Sequence, residues 1–480
     1  MTQSQALEIL KSGENVFLTG APGAGKTYLL NQYINFLRSR DVDAAITAYT
    51  GIAASHLSGR TLHSWAGLSF GALTPEQERE RVHANGRVSA RIRNAKVLII
   101  DEISMLHPEE FDRVDFICKT ARHSIAPFGG LQLICCGDFF QIPPVRSGAD
   151  QPDVPRDSEE NKFVIDSAAW KSAGMRTCYL HEQHRQGDEK LLRILDDIRD
   201  GNIGAGTLAL LRSRLHAPVA APIGIARLYT HNEDVNGIND AELRKLTGTP
   251  EVVYEVLERG AAALVGKLKK DHKIDRLVLK KGARVMFTRN NRGMGYVNGT
   301  LGEVIDFTSG GGDDNDAAAE AFPVILTFEG RRIVPSREAW ELEENGKVRA
   351  SVRQMPLKLA WAITVHKSQG MTLDAAEIDL SRAFDRGMGY VALSRVKRLE
   401  NISLLGLNER ALEVSPRIKA LDGEFRERSL ESEAYLAALG PDGAARLREE
   451  FLKSEDDAAA ADTGGLSYEI VDEVPAVDFE

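Results

Sequence analysis

Gly20-Ala21-Pro22-Gly23-Ala24-Gly25-Lys26-Thr27 fits the pattern G-x-x-x-x-G-K-[ST]. In front of it stands Asn15-Val16-Phe17-Leu18-Thr19, apolar and β-compatible; behind it, residues 28–40 place Leu29, Leu30, Tyr33, Ile34 and Leu37 at helical spacing. A chance glycine turn would lack both flanks. Strand, glycine turn and helix in that order predict a phosphate-binding loop at the start of a βαβ unit. The glycines let backbone N–H groups turn inward around phosphate oxygens, and the helix N-terminus adds positive potential. Lys26 then meets the β- and γ-phosphates and Thr27 ligates Mg²⁺.

Working outward, residues 44–48, 96–101 and 131–137 are short apolar strands alternating with helical stretches, as a parallel sheet covered on both faces requires. Leu98-Ile99-Ile100-Asp101-Glu102 ends one of them in two carboxylates. Acids at a strand end are commonplace, but beside a phosphate loop they gain a role: Asp101 at the metal's water shell and Glu102 polarising the attacking water. Gln141, in Gly137-Asp138-Phe139-Phe140-Gln141-Ile142-Pro143-Pro144, places an amide where it reaches the γ-phosphate and the water. Nearly fifty residues separate the second and third strands, including the charged run 75–93, which predicts an insertion in the first domain.

A second α/β region follows the polar loop 152–161, with a helix at 188–199, strands at 226–230 and 376–380, and a helix at 390–396. Between them, alternating apolar residues and glycine turns predict a small antiparallel barrel. The expected organisation is an α/β protein of two RecA-like parallel-sheet domains, residues 1–175 and 176–430. The first carries a small helical or loop insertion of wedge type at about 65–93, the second an SH3-like β-barrel insertion at about 283–355. Residues 431–480 are expected to be an acidic, partly disordered tail in which a helix fades out. Arg185 and Arg395 sit in the second region. An arginine that stabilises a departing γ-phosphate must come from outside the phosphate-binding core, although a surface ion pair is the commoner role for either from spacing alone.

The chain has 480 residues, 43% hydrophobic and 27% charged, which bounds it as globular and multidomain. No apolar run approaches the ~18 residues of a membrane-spanning helix, and residues 1–10 lack a basic-then-apolar leader, so a cytoplasmic protein, nucleoid-associated if bacterial, is expected. Cys118, Cys135, Cys136 and Cys178 form no C-x-x-C pair and are expected as buried thiols. The net charge of −10 is uneven: residues 431–480 hold 14 Asp/Glu against 3 Lys/Arg, leaving 56 acidic and 57 basic residues in 1–430. Net acidity therefore does not exclude a nucleic-acid partner. Trp65 and Phe70 are candidate base-stacking platforms, with core packing the commoner fate of any aromatic. Lys267, Lys269, Lys270, Lys273, Lys280 and Lys281 either follow a phosphate backbone or form a solvated face.

Taken in order, the phosphate loop, Thr50-Gly51-Ile52-Ala53-Ala54, Thr61-Leu62-His63-Ser64, Asp101-Glu102-Ile103-Ser104, the segment 137–145, His184-Arg185-Gln186, Ala362-Ile363-Thr364-Val365-His366-Lys367-Ser368-Gln369-Gly370 and Tyr390-Val391-Ala392-Leu393-Ser394-Arg395 follow the motif order of superfamily 1 helicases. With Pro127-Phe128-Gly129-Gly130-Leu131-Gln132-Leu133, the chain resembles the PIF (petite integration frequency) family over about residues 1–410. That resemblance implies an ATP- and Mg²⁺-dependent helicase of the 5′-to-3′ class, monomeric, acting on single-stranded DNA and single/double-strand junctions alongside single-stranded-DNA-binding or replication proteins. It implies a nucleotide site of Gln3 or Gln5, residues 20–27 (Gly20, Ala21, Pro22, Gly23, Ala24, Gly25, Lys26, Thr27), Tyr28 and Gly370, with Lys26, Glu102, Gln141, Arg185 and Arg395 in catalysis. Thr27 and Asp101 are the implied metal ligands. Thr50, Gly51, His63, Trp65, Thr364, His366 and Lys367 are the implied DNA contacts. The rival class is a nucleotide-gated DNA-binding module or a motor subunit of the RecD type.

Overall fold

Val16–Gly20 (β1), buried at all five positions, is an interior strand of a six-stranded sheet. Its companions are β2 (Ala44–Ala48), β3 (Arg60–Thr61), β4 (Val97–Asp101), β5 (Gln132–Cys136) and β6 (Arg176–Leu180), in the order β3-β2-β4-β5-β1-β6. Every neighbouring pair runs parallel. Continuous apolar runs such as residues 97–100 are what a strand covered on both faces needs, and β1, β4 and β5 are buried throughout. The computed structural model describes residues 1–68, 73–144, 162–181, 188–219, 226–272, 274–291, 293–309, 321–344 and 347–453.

The first domain extends beyond the boundary expected at residue 175. β6 pairs with β1 over five residues, Val16 opposite Arg176 through Gly20 opposite Leu180, and so completes the first sheet. Helices Pro75–Ala84 and Gly86–Asn94 occupy the expected insertion, packed on the helix Pro108–Arg122. Val82, Val88 and Ile92 are buried there, and the buried Glu78 pairs with Arg81 and with Arg113 of the longer helix. All four cysteines are buried thiols.

β7 (Ala226–Tyr229) is the first strand of a second parallel sheet. Before the chain returns to it, residues 252–359 form the inserted β-structure: β8 (Val252–Tyr254), β9 (Leu257–Gly260), β10 (Leu277–Leu279), β11 (Arg284–Phe287), β12 (Leu301–Ser309), β13 (Ala321–Thr327), β14 (Arg332–Ile333), β15 (Glu338–Glu344), β16 (Lys347–Gln354) and β17 (Leu357–Leu359). They pair antiparallel as β14-β13-β12-β11-β17, β15-β16-β9 and β10-β8. The insertion thus starts some thirty residues before position 283. The sequence signal missed β8 to β10 because they are three- and four-residue strands, too short to show an alternation. β18 (Ala362–Thr364), β19 (Ala376–Leu380) and β20 (Ile402–Leu407) then complete the second sheet in the order β18-β7-β19-β20.

The lysine cluster does not form one stripe. Val265 and Leu268 bury one face of the helix Ala262–His272; Lys269 on it pairs with Glu258, whereas Lys280 pairs with Glu251 and Lys281 with Asp306. Lys273 and Phe70 lie outside the described residues.

The expected acidic tail also differs in its described part. Residues 416–452 are a helix, Pro416–Leu452, broken locally at Gly440 ahead of Pro441, and it runs back onto the first domain. Ser429 Oγ accepts the Tyr179 N–H at 3.1 Å, Tyr435 donates to Glu14 at 2.8 Å, and the Arg176 guanidinium lies 3.4 Å from the Tyr435 ring centre. Leu436 and Phe451 pack against the core of the β1 side. Net charge over 50 residues conceals an amphipathic face in the first half. Phe451→Ala should lower unfolding free energy by about 2 kcal/mol, less than the ~3–5 of a fully buried phenylalanine, measured by denaturant titration; an unchanged midpoint would show that the helix end does not dock.

Candidate functional site

Carboxyl ends of parallel strands are where α/β sheets bind ligands, and the first sheet brings four such ends together. After β1, Gly20 takes φ +147° with its α-carbon so close to β6 that a Cβ would sit 2.8 Å from the Leu180 carbonyl oxygen. Gly23 and Gly25 also adopt left-handed φ, and Gly25 caps the helix Lys26–Arg38. Lys26 Nζ donates to the loop's own carbonyls at Gly20 (2.7 Å) and Ala21 (3.1 Å). Thr27 and Tyr28 are exposed at the first turn of that helix. The two candidate glutamines separate: Gln5 is committed to a capping box with Thr2, while Gln3 Nε2 donates to the Ala24 carbonyl of the loop at 3.2 Å.

At the end of β4, Asp101 is buried and Glu102 is held at φ 54°, a left-handed conformation that costs a non-glycine residue energy and tends to persist where function requires it. Burial raises the Asp101 carboxyl above the usual range despite bonds from Glu102 N–H and Cys136 and the charges of Lys26 and His56. Burial, together with the Asp101 charge, raises Glu102 to about 7, against the pull of Arg395 and Lys26. Glu102 Oε2 is buried with no hydrogen-bond partner. His56 is a basic group near this site that the sequence reading did not include.

Two neighbours approach from opposite sheets. Gln141 follows β5 and is 7% exposed, its Oε1 without a partner. Gln369 of the second domain, also unforeseen, is 2% exposed, donates to the Ile142 carbonyl at 3.4 Å and leaves its own Oε1 unpartnered. Buried acceptors without donors are costly, and Glu102, Gln141 and Gln369 each carry one. Arg395 ends the helix Met388–Ser394; its Nε donates to Val391 O at 3.0 Å and its Nη2 to Ser394 Oγ at 2.8 Å, and its charge acts on Glu102. Gly387, at φ +81°, lets that helix start against the 138–141 turn: a Cβ there would lie 2.8 Å from Phe140 O. Gly370, at φ +78°, faces Ala53 of the first domain. Arg185 lies in 182–187, outside the described residues.

The donor set suits magnesium. Asp101 and Thr27 offer hard oxygens, and among the described residues no three His, Cys, Asp or Glu side chains form a protein cage. Mg²⁺ takes one or two protein oxygens and completes its shell with phosphates and water.

The expected DNA contacts divide. Thr50 caps the helix Gly51–His56 through Ala53 N–H, and Gly51 is packed against Asn290 of the insertion, where a Cβ would lie 2.9 Å from its Oδ1. His63 pairs with Glu110 at 3.0 Å and sits edge-on to Tyr49. Trp65 is 3% exposed in the hydrophobic core, so its ring is a packing group with no face free for a base. On the second sheet, Thr364 ends β18 buried, Lys367 is exposed, and burial depresses the His366 imidazole below the ordinary histidine range. His366 stacks on Phe384, which follows β19 and is 49% exposed; sequence inspection gave no reason to single out that phenylalanine.

A phosphate loop, paired acids and a glutamine on one parallel sheet, met by an arginine from a second, define the class of two-domain P-loop motor ATPases. Within it, the chain belongs to the PIF1-like helicase family. That family's profile matches residues 3–205. Over 483 aligned residues the chain is 42% identical to the ATP-dependent DNA helicase Pif1 of Psychrobacter sp. (strain PRwf-1), covering 90% of this chain and 72% of that one. It superposes on the crystal structure of the Candida albicans Pif1 helicase with TM-score 0.78 at 33% identity, covering 88% of this chain and 98% of that one. It also superposes on a Bacteroides Pif1 helicase in complex with ADP-AlF3 and single-stranded DNA, with TM-score 0.72 at 28% identity, covering 90% and 97%.

Glu102 yields a stability prediction of definite sign. A carboxyl raised from 4.5 to about 7 favours its protonated form in the folded chain. It contributes no penalty below pH ~4.5 and a growing one from there to about 7. Glu102→Gln should therefore raise the melting temperature at pH 8 more than at pH 5 in nucleotide-free buffer; an equal or smaller gain at pH 8 would refute a raised carboxyl.

Proposed function

We propose that the chain is an ATP-dependent DNA helicase that moves 5′ to 3′ along single-stranded DNA and unwinds duplex or structured DNA. The observation that carries this is that the second domain's helix Met388–Ser394, capped by Arg395, starts against the turn of the first at Phe140 and Gln141, while Gln369 bonds the Ile142 carbonyl beside it. Hydrolysis at such a seam is sensed by both domains, which is what a motor requires. ATP would lie on residues 20–27, with Gln3 at the adenine and Gly370 approaching the phosphates from the second domain. Thr27 and Asp101 would hold Mg²⁺, which would supply neutralisation of the negative charge on the phosphates. Glu102 and Gln141 orient the attacking water, and Lys26 and Arg395 stabilise charge that develops on the γ-phosphate. Arg185 is assigned the same task.

Thr50, His63, Thr364, His366 and Lys367 stand at the ends of parallel strands or in the helices that follow them, and we assign them to the DNA track. Exposed Phe384, stacked on His366, adds an aromatic surface to that track. The two domains are read as RecA-like and the inserted β-structure as SH3-like. The helical pair 75–94, anchored by Glu78, is assigned the wedge.

Lys26→Ala should abolish DNA-stimulated ATP hydrolysis, a loss of at least about 10²-fold, with an unchanged circular-dichroism spectrum. Retained turnover would exclude the phosphate-loop mechanism. In strand displacement, wild-type protein should unwind duplexes with a 5′ single-stranded overhang and leave those with a 3′ overhang paired. Hydrolysis without displacement on either substrate would instead identify a motor subunit that needs partners.

A further inference from the structure

Arg199 ends the helix Glu189–Arg199 and is 4% exposed. Its Nη1 donates to Asp138 Oδ1 (3.0 Å) and to the Tyr390 hydroxyl (2.9 Å); its Nη2 donates to the Tyr179 hydroxyl (2.9 Å) and to Asp422 Oδ1 (3.2 Å). The guanidinium also lies over the Phe140 ring, 4.0 Å from its centre. These partners come from the turn after β5, from β6, from the helix Met388–Ser394 and from the C-terminal helix. Only a planar fork of donors can serve so many acceptors from one side chain. Burial opposes the charge, but Asp138, Tyr390, Tyr179 and Asp422 together hold Arg199 well above the usual arginine range.

Two ends of this set lead into the ATP site. Asp138 Oδ1 accepts the Phe140 N–H at 3.1 Å and the Asp138 carbonyl accepts the Gln141 N–H at 3.1 Å, so the carboxylate that binds Arg199 also shapes the turn that carries Gln141. Tyr390 donates to Asp138 Oδ2 at 2.9 Å and lies on the helix that Arg395 caps, the Arg395 Nε being bonded to the carbonyl of Val391, the residue after Tyr390. One carboxylate–hydroxyl–guanidinium set thus fixes the glutamine of one domain and the arginine of the other in a common frame.

We propose that Arg199 is a positioning residue for ATP hydrolysis, acting through Asp138 and Tyr390 to set Gln141 and Arg395 against each other across the seam. The proposal rests on the assignment of Gln141 and Arg395 to the γ-phosphate. A purely structural role would be expressed in folded yield and thermal midpoint and would leave turnover per folded molecule unchanged.

Tyr390→Phe keeps the ring and removes the hydroxyl shared by Asp138 and Arg199. DNA-stimulated kcat should fall about tenfold while affinity for a fluorescent ADP analogue stays within about twofold, because a misplaced pair of groups harms the transition state more than the ground state. Asp138→Asn should show the same split. The double variant should be no slower than the slower single one if the groups act as a unit. Wild-type kcat in Tyr390→Phe, or additive losses in the double variant, would overturn the proposal. Arg199→Lys, which keeps the charge without the fork, should fall in the same class; should it not fold, the other two variants decide. Gln141→Ala separates the levels: retained hydrolysis there would overturn the underlying assignment, whereas a dead Gln141→Ala beside a normal Tyr390→Phe would overturn the positioning role alone.

Discussion

A buried guanidinium must be matched by carboxylates and hydroxyls, and that requirement at Arg199 governs how the two parallel sheets meet. Removing either partner of such an ion pair leaves an uncompensated charge in a medium where it is poorly solvated. The pair with Asp138 is fully enclosed, 0% exposed on the carboxylate and 5% on the arginine, so it is specified by geometry and is little screened by salt. Around it the hydrophobic core passes without a break from one sheet to the other, Phe17, Phe139 and Phe140 on one side and Leu380, Tyr390 and Leu393 on the other. The seam is therefore a packed interior with a polar centre.

The carboxylate assigned to catalysis beside that centre is kept uncomfortable. Glu102 combines a left-handed backbone, a buried oxygen without a donor and a raised ionisation, three costs in one residue. Arg395 and Lys26 relieve only part of this. Local destabilisation of this kind marks sites that bind charged, hydrogen-bonding ligands, since folding alone would not retain it.

Much of this was readable in the chain. The phosphate loop, the Asp101-Glu102 strand end and the turn carrying Gln141 are contiguous patterns, and each fell at the end of a parallel strand as expected. β6 was assigned to the wrong domain because nothing local tells a strand which sheet it joins; its partner β1 is about 160 residues away. Residues 252–279 lacked alternation long enough to register as strands. Trp65 illustrates the opposite error, a residue promoted by its motif neighbourhood and buried by packing. Arg199 left no signal at all: Asp196-Asp197-Ile198-Arg199-Asp200 looks like a solvated helix end, and only tertiary structure brings Asp138, Tyr179, Tyr390 and Asp422 to it. Gln3 and Gln5 differ in sequence by two positions and in structure by which one the N-cap threonine has already claimed.

The C-terminal helix, by returning to β6 and the Gln3–Lys11 helix, makes the polypeptide cross between the two sheets twice, once outward after β6 and once back. Two sheets tied in this way cannot part at that tie while those contacts last. That tie, at Tyr179 and Ser429, is separate from the contact of the inserted β-structure with Gly51 and Ile52, so the two sheets are linked at two places along the chain that share no residue.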